Sequence, residues 1–348
     1  MSEFTNQDLG GPNQPLLKVS NLIKHFPIKK GFRQQEVVRA VDNISFDVKK
    51  GETLGVVGES GCGKSTTARL LMQLLRQDRG ELIFDAAAVD SADLPLKEFR
   101  RQVQMVFQDS YSSLNPRLTI EESIAFGPKV HGVSQAEAVE RARNLLARVG
   151  LEPGRFAGRY PHELSGGQRQ RVNIARALAM NPRLIILDEA VSALDKSVEA
   201  QVLNLLMDLK SSLDLTYVFI SHDLHVVRYL SDRILVMYLG EVVEVGPAEA
   251  LFNQAAHPYT QALLSSMPSM DPTHRTTESP LFGDPPSPIA PPYGCRFHTR
   301  CPHAQRICSQ TKPELSGAGA ADHQAACLMV QPGSGHSLAK QPLIAREG

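Results

Sequence analysis

Residues 53–66, with the sequence TLGVVGESGCGKST, are the stretch that decides the fold. The apolar run at 53–57 is typical of a buried strand, and a helical pattern begins at Ser65. Between them, residues 58–65 fit the pattern G-x-x-x-x-G-K-[ST] of phosphate-binding loops. The pattern requires a strand before it and a helix after it, and both are present. We therefore expect an α/β fold in which this loop holds phosphate groups.

The chemistry of such a loop explains its residue types. Glycines let successive backbone N–H groups turn inward around phosphate oxygens, and the helix N-terminus adds a partial positive charge. Lys64 would reach the β- and γ-phosphates, and Ser65 would supply a hydroxyl to Mg²⁺. The alternative is a glycine-rich turn that only precedes a helix. We expect the following residues to contact the nucleotide, with Cys62 a passive occupant of the loop: Gly58, Glu59, Ser60, Gly61, Cys62, Gly63, Lys64, Ser65 and Thr66.

Composition narrows the class of protein. The chain has 348 residues with 37 Lys+Arg and 37 Asp+Glu, so its formal net charge is zero. This balance argues against a nucleic-acid binder held by global positive charge. No apolar run approaches the roughly 18 residues of a membrane span. The first residues lack the basic and apolar regions of a signal peptide, so we expect a cytosolic chain.

Further strands alternate with helical stretches, which favours a layer of parallel strands. One of them, residues 184–187, ends in Asp188 and Glu189. Because ligands of open α/β sheets bind outside the C-terminal strand ends, Asp188 would hold Mg²⁺ and Glu189 would act as general base on the attacking water. The alternative is a strand that leads to a helix N-cap. Residues 109–164 lack strand patterns and predict a helical insertion.

Residues 164–170, LSGGQRQ, precede another helical stretch. Ser165 and the glycines could present a hydroxyl and N–H groups to an anion, with the helix dipole behind them. The alternative interpretation is that Ser165 only caps the helix. A second phosphate cradle in one chain is not needed for one nucleotide.

LSGGQRQ between a phosphate loop and an LDE strand resembles the signature motif of the ATP-binding-cassette (ABC) ATPases. The other elements follow in the family's order. Gln108 matches the Q-loop, residues 192–195 the D-loop and His222 the switch histidine. Ala190 departs from the family, which usually has proline after the glutamate. The resemblance implies that Gln108 reaches Mg²⁺ and the attacking water and that His222 contacts the γ-phosphate. Phe26 is our choice for stacking on adenine, and Phe32 is a weaker one.

The resemblance also implies an architecture. We expect a RecA-like core with an antiparallel β subdomain and a helical subdomain at about 109–170. Two cassettes would face head to tail, so that each nucleotide lies between the phosphate loop of one and the signature of the other. Residues of this chain would then serve the partner's ATP: Ser165, Gly166, Gly167, Gln168 and Asp195. The expected units are a disordered tail at 1–12, the ATPase domain at 13–265, a proline-rich linker at 266–294, a cysteine segment at 295–330 and a tail at 331–348.

Three stretches narrow the resemblance to the ATPases of oligopeptide and dipeptide importers: YSSLNP at 111–116, RYPHEL at 159–164 and HPYT at 257–260. The match is most like the second ATPase of a dipeptide permease. It implies a sister ATPase, two membrane permease subunits and an extracytoplasmic peptide-binding protein as partners, and a peripheral position on the cytoplasmic face of the bacterial inner membrane. Importers of nickel and of antimicrobial peptides share the pattern.

Four of the five cysteines lie in the last fifth of the chain: Cys295, Cys301, Cys308 and Cys327. An odd count in a reducing compartment argues against a disulfide framework, and four thiolates suit zinc or an iron–sulfur cluster. The spacing is too wide for a zinc ribbon of CxxC knuckles. The resemblance implies a [4Fe–4S] cluster, with zinc as the second choice and reduced, partly buried cysteines as the third.

Two other functions remain open at this stage. A soluble cassette ATPase acting on ribosomes or DNA usually has two fused cassettes or a charged arm, which this chain lacks. A non-hydrolysing regulatory module would not need Gln108, Asp188, Glu189 and His222 together.

Overall fold

The computed structural model describes residues 6, 8–12, 14–30, 34–267, 283–319 and 321–339. The strands are β1 Leu17–Lys30, β2 Gln34–Val48, β3 Thr53–Val57, β4 Arg79–Phe84, β5 Ala87–Ala88, β6 Val103–Val106, β7 Leu184–Asp188, β8 Thr216–Ile220, β9 Arg233–Tyr238, β10 Glu241–Pro247, β11 Ser316–Gly317 and β12 Gln324–Ala325. The helices are α1 Lys64–Leu71, α2 Leu96–Gln102, α3 Ile120–Val130, α4 Gln135–Arg148, α5 Pro153–Phe156, α6 Gly166–Leu178, α7 Lys196–Leu213, α8 Leu224–Leu230, α9 Ala248–Gln254, α10 Pro258–Ser265 and α11 Arg306–Gln310, with a 3₁₀ turn at Pro161–Glu163.

The larger sheet has the strand order β11-β12-β10-β9-β3-β8-β7-β6. Strands β9, β3, β8, β7 and β6 pair in parallel, and β10 joins β9 antiparallel. Every residue of β3, β7 and β8 is buried, as expected for parallel strands covered on both faces. The carboxyl ends of β3, β6, β7 and β8 meet at one edge. The phosphate loop and the residues after the other three strands are therefore brought together.

The smaller sheet is antiparallel, with the order β2-β1-β4-β5. Its β1–β2 hairpin runs to a pair between Lys30 and Gln34. Strand-like sequence patterns cover only residues 16–19 and 44–48 of this region, so the strands predicted from the sequence are shorter than those observed. The reason is physical: the outer half of the hairpin is largely exposed, so its strands carry no continuous apolar run.

The stretch between β6 and β7 is helical, as the sequence predicts, and contains α3 to α6. Capping residues start its helices. Thr119 accepts a hydrogen bond from the N–H of Glu122 and forms a capping box with it, and Ser134 accepts from Glu137. The apolar face of α4, with Ala138, Ala142 and Leu146, packs into the core. The α/β fold with an antiparallel β subdomain and a helical subdomain is confirmed.

The cysteine segment, residues 295–330, is built onto the larger sheet. Strand β12 pairs antiparallel with β10 through Glu244 and Val245, and the N–H of Arg39 donates to the carbonyl of Pro288 in the described end of the proline-rich stretch. The rest of that stretch, 268–282, lies outside the described residues, as do Phe32 and the end of the C-terminal tail.

Within residues 1–12, which the sequence predicts to be a disordered tail, the structure describes residues 6 and 8–12. The amide N–H groups of Leu9 and Gly10 donate to the carboxylate of Asp85, which follows β4. Within the described part of the chain, no helix has the length and apolar character needed to cross a bilayer.

Candidate functional site

The phosphate loop connects β3 to α1 and depends on its glycines. Gly63 has φ +110°, and a Cβ there would lie 2.2 Å from the carbonyl oxygen of Ala40 in β2. Gly58 has φ +149°, and its Cβ would lie 2.2 Å from the carbonyl oxygen of Met237 in β9. The loop is therefore wedged between two strands in a conformation that favours glycine.

Lys64 is buried at the start of α1, with its side chain folded back over the loop. Its Nζ donates to the carbonyl oxygens of Gly58, at 2.7 Å, and Glu59, at 2.9 Å. A buried ammonium on neutral carbonyls favours an anion close by, because charge is costly to bury without compensation. This arrangement suits a phosphate group.

Ser65 and Asp188 form the candidate Mg²⁺ site. Although they are 123 positions apart in the sequence, Ser65 Oγ donates to Asp188 Oδ1 at 3.1 Å. Burial raises the pKa of Asp188, and the hydrogen bond from Ser65 opposes that shift. Hard oxygen ligands beside a phosphate site are the donors that Mg²⁺ prefers, so the pair fits the ion.

Glu189 directly follows β7, and its carboxylate lies close to two other predicted site residues, Gln108 and His222. Gln108 Nε2 donates to Glu189 Oε2 at 2.8 Å, and His222 Nδ1 lies 3.5 Å from the same oxygen. Glu189 has φ +48°, in the left-handed region that is uncommon for non-glycine residues. Gln108 comes after β6 and His222 after β8, so three neighbouring strand ends supply this cluster.

These groups line one open cavity of about 420 Å³. The structure brings together most of the predicted site: Ser60, Gly61, Gly63, Lys64, Ser65, Thr66, Gln108, Glu189 and His222. Gly58, Glu59 and Cys62 belong to the loop but are not among the described lining residues. Sequence reasoning missed Val38 and Ala40, which reach the cavity only through the long β2 strand and carry no motif of their own.

The signature residues start α6. Ser165 is the N-cap and forms a capping box with Gln168. A Cβ on Gly167 would lie 2.3 Å from Val198 Cγ1 of α7, whose own N-cap is Asp195. The N-terminus of α6, which carries Ser165, Gly166, Gly167 and Gln168, is thus packed against α7 at Gly167. The described lining of the cavity includes none of these four and not Asp195, so on this chain the signature residues lie apart from the phosphate loop's cavity.

Phe26 lies in β1 opposite Val38, which lines the cavity. The Nζ of Lys24 lies 5.6 Å from the centroid of the Phe26 ring. Residues paired across antiparallel strands have neighbouring side chains, so Phe26 is beside the edge of the cavity. Its role in adenine binding stays a prediction.

A second cavity is lined by all four cysteines of the cysteine segment, together with His257. Burial raises the pKa of Cys295 to about 12 and of Cys327 to about 11, and it also raises the pKa of Cys301. His257 is buried, and its Nε2 has no hydrogen-bond partner among the described residues. Within the same described ranges, no group of three or more His, Cys, Asp or Glu side chains is arranged around a single metal ion.

Comparisons with known proteins give two family matches. Residues 41–192 match the family described as ABC transporter. Residues 243–308 match the family described as oligopeptide/dipeptide transporter, C-terminal region. The first range holds the loop, the signature and the Asp188–Glu189 pair, and the second holds HPYT and three of the four clustered cysteines.

Similar proteins span nearly the whole chain. The oligopeptide transport ATP-binding protein AppF of Bacillus subtilis (strain 168) is 50% identical over 321 residues, which cover 90% of this chain and 97% of the relative. The dipeptide transport ATP-binding protein DppF of Escherichia coli (strain K12) is 47% identical over 309 residues, which cover 88% and 92%.

Two solved structures have the same fold. CbiO1 of Clostridium perfringens, part of an ABC transporter complex, has a TM-score of 0.59 and 28% identity over 69% of this chain and 91% of that one. The ATP-binding cassette MJ0796, in a dimeric post-hydrolysis state bound to ADP and Pi, has a TM-score of 0.58 and 32% identity over 67% of this chain and 98% of that one.

Proposed function

The chain belongs to the ATP-binding proteins of the oligopeptide and dipeptide ABC transporters, and from this we propose that it is the ATP-hydrolysing subunit of an importer that takes up dipeptides or oligopeptides. The observation that carries the proposal is the cavity in which Lys64 and Ser65 face Gln108, Glu189 and His222. Binding groups and hydrolytic groups share one space, which a purely regulatory nucleotide site does not require.

Each residue has a defined task in hydrolysis. Lys64 leaves its two carbonyl acceptors and neutralises the charge on the β- and γ-phosphates. Ser65 and Asp188 would hold Mg²⁺, and the ion would supply positive charge beside the phosphates. Glu189 accepts a proton from the attacking water, Gln108 orients that water, and His222 contacts the γ-phosphate. Because Gln108 and His222 both approach Oε2 of Glu189, they fix the direction of the carboxylate.

The second phosphate cradle supports a shared site. Ser165 and Gly167 lie at a helix N-terminus away from this chain's own cavity, so we assign them, with Gly166, Gln168 and Asp195, to the ATP of a sister ATPase subunit. The dimeric state of MJ0796 is consistent with this assembly. Closure and reopening of the pair would drive two membrane permease subunits, fed by an extracytoplasmic peptide-binding protein. The chain would then lie peripherally on the cytoplasmic face of the cell membrane.

We further propose a [4Fe–4S] cluster in the cysteine segment. The support is that four cysteines spread over residues 295–327 line one cavity, together with the unpartnered Nε2 of buried His257. Zinc, the alternative, needs four sulfurs at about 2.3 Å from one ion. A [4Fe–4S] cluster takes four thiolates, one on each iron, which matches the four cysteines that line this cavity.

Uptake by cells tests the proposed function. A strain in which this chain carries Lys64→Ala should lose uptake of a labelled dipeptide or tripeptide, and co-purification from membranes should yield a sister ATPase and permease subunits. Labelled Ni²⁺ and a labelled antimicrobial peptide distinguish the other importers. Unchanged peptide uptake with loss of either of those cargoes would reassign the substrate.

A further inference from the structure

Glu59 is one of the phosphate-loop residues that are not among the described lining of the nucleotide cavity. Its neighbours Ser60 and Gly61 line the cavity, whereas Glu59 meets groups from the C-terminal part of the chain. The N–H of Glu59 donates to Tyr259 Oη at 2.8 Å. Its carboxylate accepts from both terminal nitrogens of Arg300, at 3.0 and 3.1 Å. Tyr259 belongs to the HPYT stretch, and Arg300 belongs to the cysteine segment.

The groups that hold Glu59 are buried and packed. The Arg300 side chain is 6% exposed and that of Glu59 is 20% exposed. Phe297 of the cysteine segment packs against Tyr238 and Tyr259, with ring centroids 5.4 Å away in both cases. A two-pronged Arg–carboxylate pair with little solvent around it is geometrically specific and stronger than an exposed ion pair.

One residue, Glu59, therefore connects three parts of the molecule. The carbonyl of Glu59 accepts from Lys64, its N–H is held by Tyr259, and its side chain is held by Arg300. A change at Arg300 is thus transmitted to Lys64, the lysine of the phosphate site, through one intervening residue, Glu59. The Arg300 charge also offsets a carboxylate that would otherwise stand, uncompensated, near an anionic ligand.

We propose that Arg300 is a positioning residue for the phosphate loop, and that the cysteine segment thereby sets the affinity of the chain for ATP. The cysteine segment holds the phosphate loop in position, and this role is separate from binding any metal. This goes beyond the proposed transport function, because it concerns ATP binding alone and does not depend on which molecule is imported.

The test is the dissociation constant of Mg·ATP, measured by calorimetry on the full-length chain in a Glu189→Gln background so that bound ATP persists. Arg300→Gln should raise the dissociation constant about tenfold, the size expected when a hydrogen-bonded charge loses its partner. Arg306→Gln is the matched control, because Arg306 is an exposed arginine of the same segment. It should bind ATP like the parent.

A second substitution separates positioning from general damage. Adding Glu59→Gln to Arg300→Gln removes the stranded carboxylate, so the double variant should bind ATP more tightly than Arg300→Gln alone. Arg300→Lys keeps the charge and should fall between the parent and Arg300→Gln. In the assembled transporter with Glu189 intact, Arg300→Gln should raise KM for ATP and keep kcat at saturation. Parent-like affinity in Arg300→Gln, or a double variant weaker than Arg300→Gln, would overturn the proposal.

Discussion

Asp85 is the residue at which the N-terminal stretch, the small sheet and the core meet. It is 3% exposed, and its carboxylate lies 2.6 Å from Arg183 and 3.2 Å from Lys50. Burial alone would raise the pKa of Asp85, but the hydrogen bonds from Arg183, the Leu9 amide and Lys50 hold it well below its ordinary range. A carboxyl with a depressed folded-state pKa contributes stability above its unfolded pKa of about 3.9, and that contribution is lost as pH falls below it.

We therefore expect Asp85→Asn to lower the free energy of unfolding by about 2 kcal/mol at pH 7, and by progressively less as the pH falls below about 4. The substitution suits the backbone, because Asp85 has φ +49° and asparagine tolerates that region. Asp90→Asn, at an exposed aspartate with φ +65°, is the control. The free energy of unfolding of each variant is measured by urea unfolding at pH 7 and pH 3. If Asp85→Asn lowers it equally at both pH values, the charge of Asp85 does not contribute.

Among the elements, the N-terminus of α1 carries the phosphate loop, and we propose that the N-terminus of α6 binds the phosphates of the partner's ATP. Because Ser165 is not among the described lining of the chain's own cavity, Ser165→Arg should block hydrolysis in the partner's site and leave ATP binding at this chain's own loop intact. Lys64→Ala should instead weaken ATP binding at this chain's own loop. Nucleotide cross-linking to each subunit of the purified complex distinguishes the two sites. An isolated monomer that hydrolyses ATP at the rate of the full complex would refute the shared site.

Elements whose own residues form a clear strand or motif pattern could be predicted from the sequence. Strand β3 is buried throughout, and it is observed with the bounds 53–57 that its sequence predicts. The residues after β6, β7 and β8 could be grouped because parallel strand ends share an edge.

Other elements depend on contacts that are remote in sequence. The exposed half of the β1–β2 hairpin is held by pairing rather than by apolar side chains. The two-residue strand β12 is held by pairing with β10 and β11, so no periodicity could reveal it. For the same reason, Val38 and Ala40 in the cavity and the Arg300–Glu59 pair could not be found from motifs.

On the scale of the whole molecule, the cysteine segment is an extension of the ATPase sheet that carries its own candidate metal site. Protein purified without oxygen should be brown, and Cys301→Ser should abolish the colour and lower the bound iron. Cys62→Ser, in the phosphate loop, should leave both unchanged, since Cys62 lies apart from the cavity that holds the other four. Metal analysis of the parent that finds neither iron nor zinc would eliminate the site, and stoichiometric zinc without iron would favour the alternative.

The ATPase rate of the assembled transporter carrying Glu189→Gln tests the central claim most directly. The substitution keeps the shape of the side chain and its contacts with Gln108 and His222 but removes the basic carboxylate. Bound ATP should persist while hydrolysis falls by about 10²–10⁴-fold, the usual contribution of a general base. Asp208→Asn, at an exposed carboxylate of α7, should hydrolyse ATP like the parent. A Glu189→Gln complex that turns over ATP at close to the parent rate would contradict the account of this site.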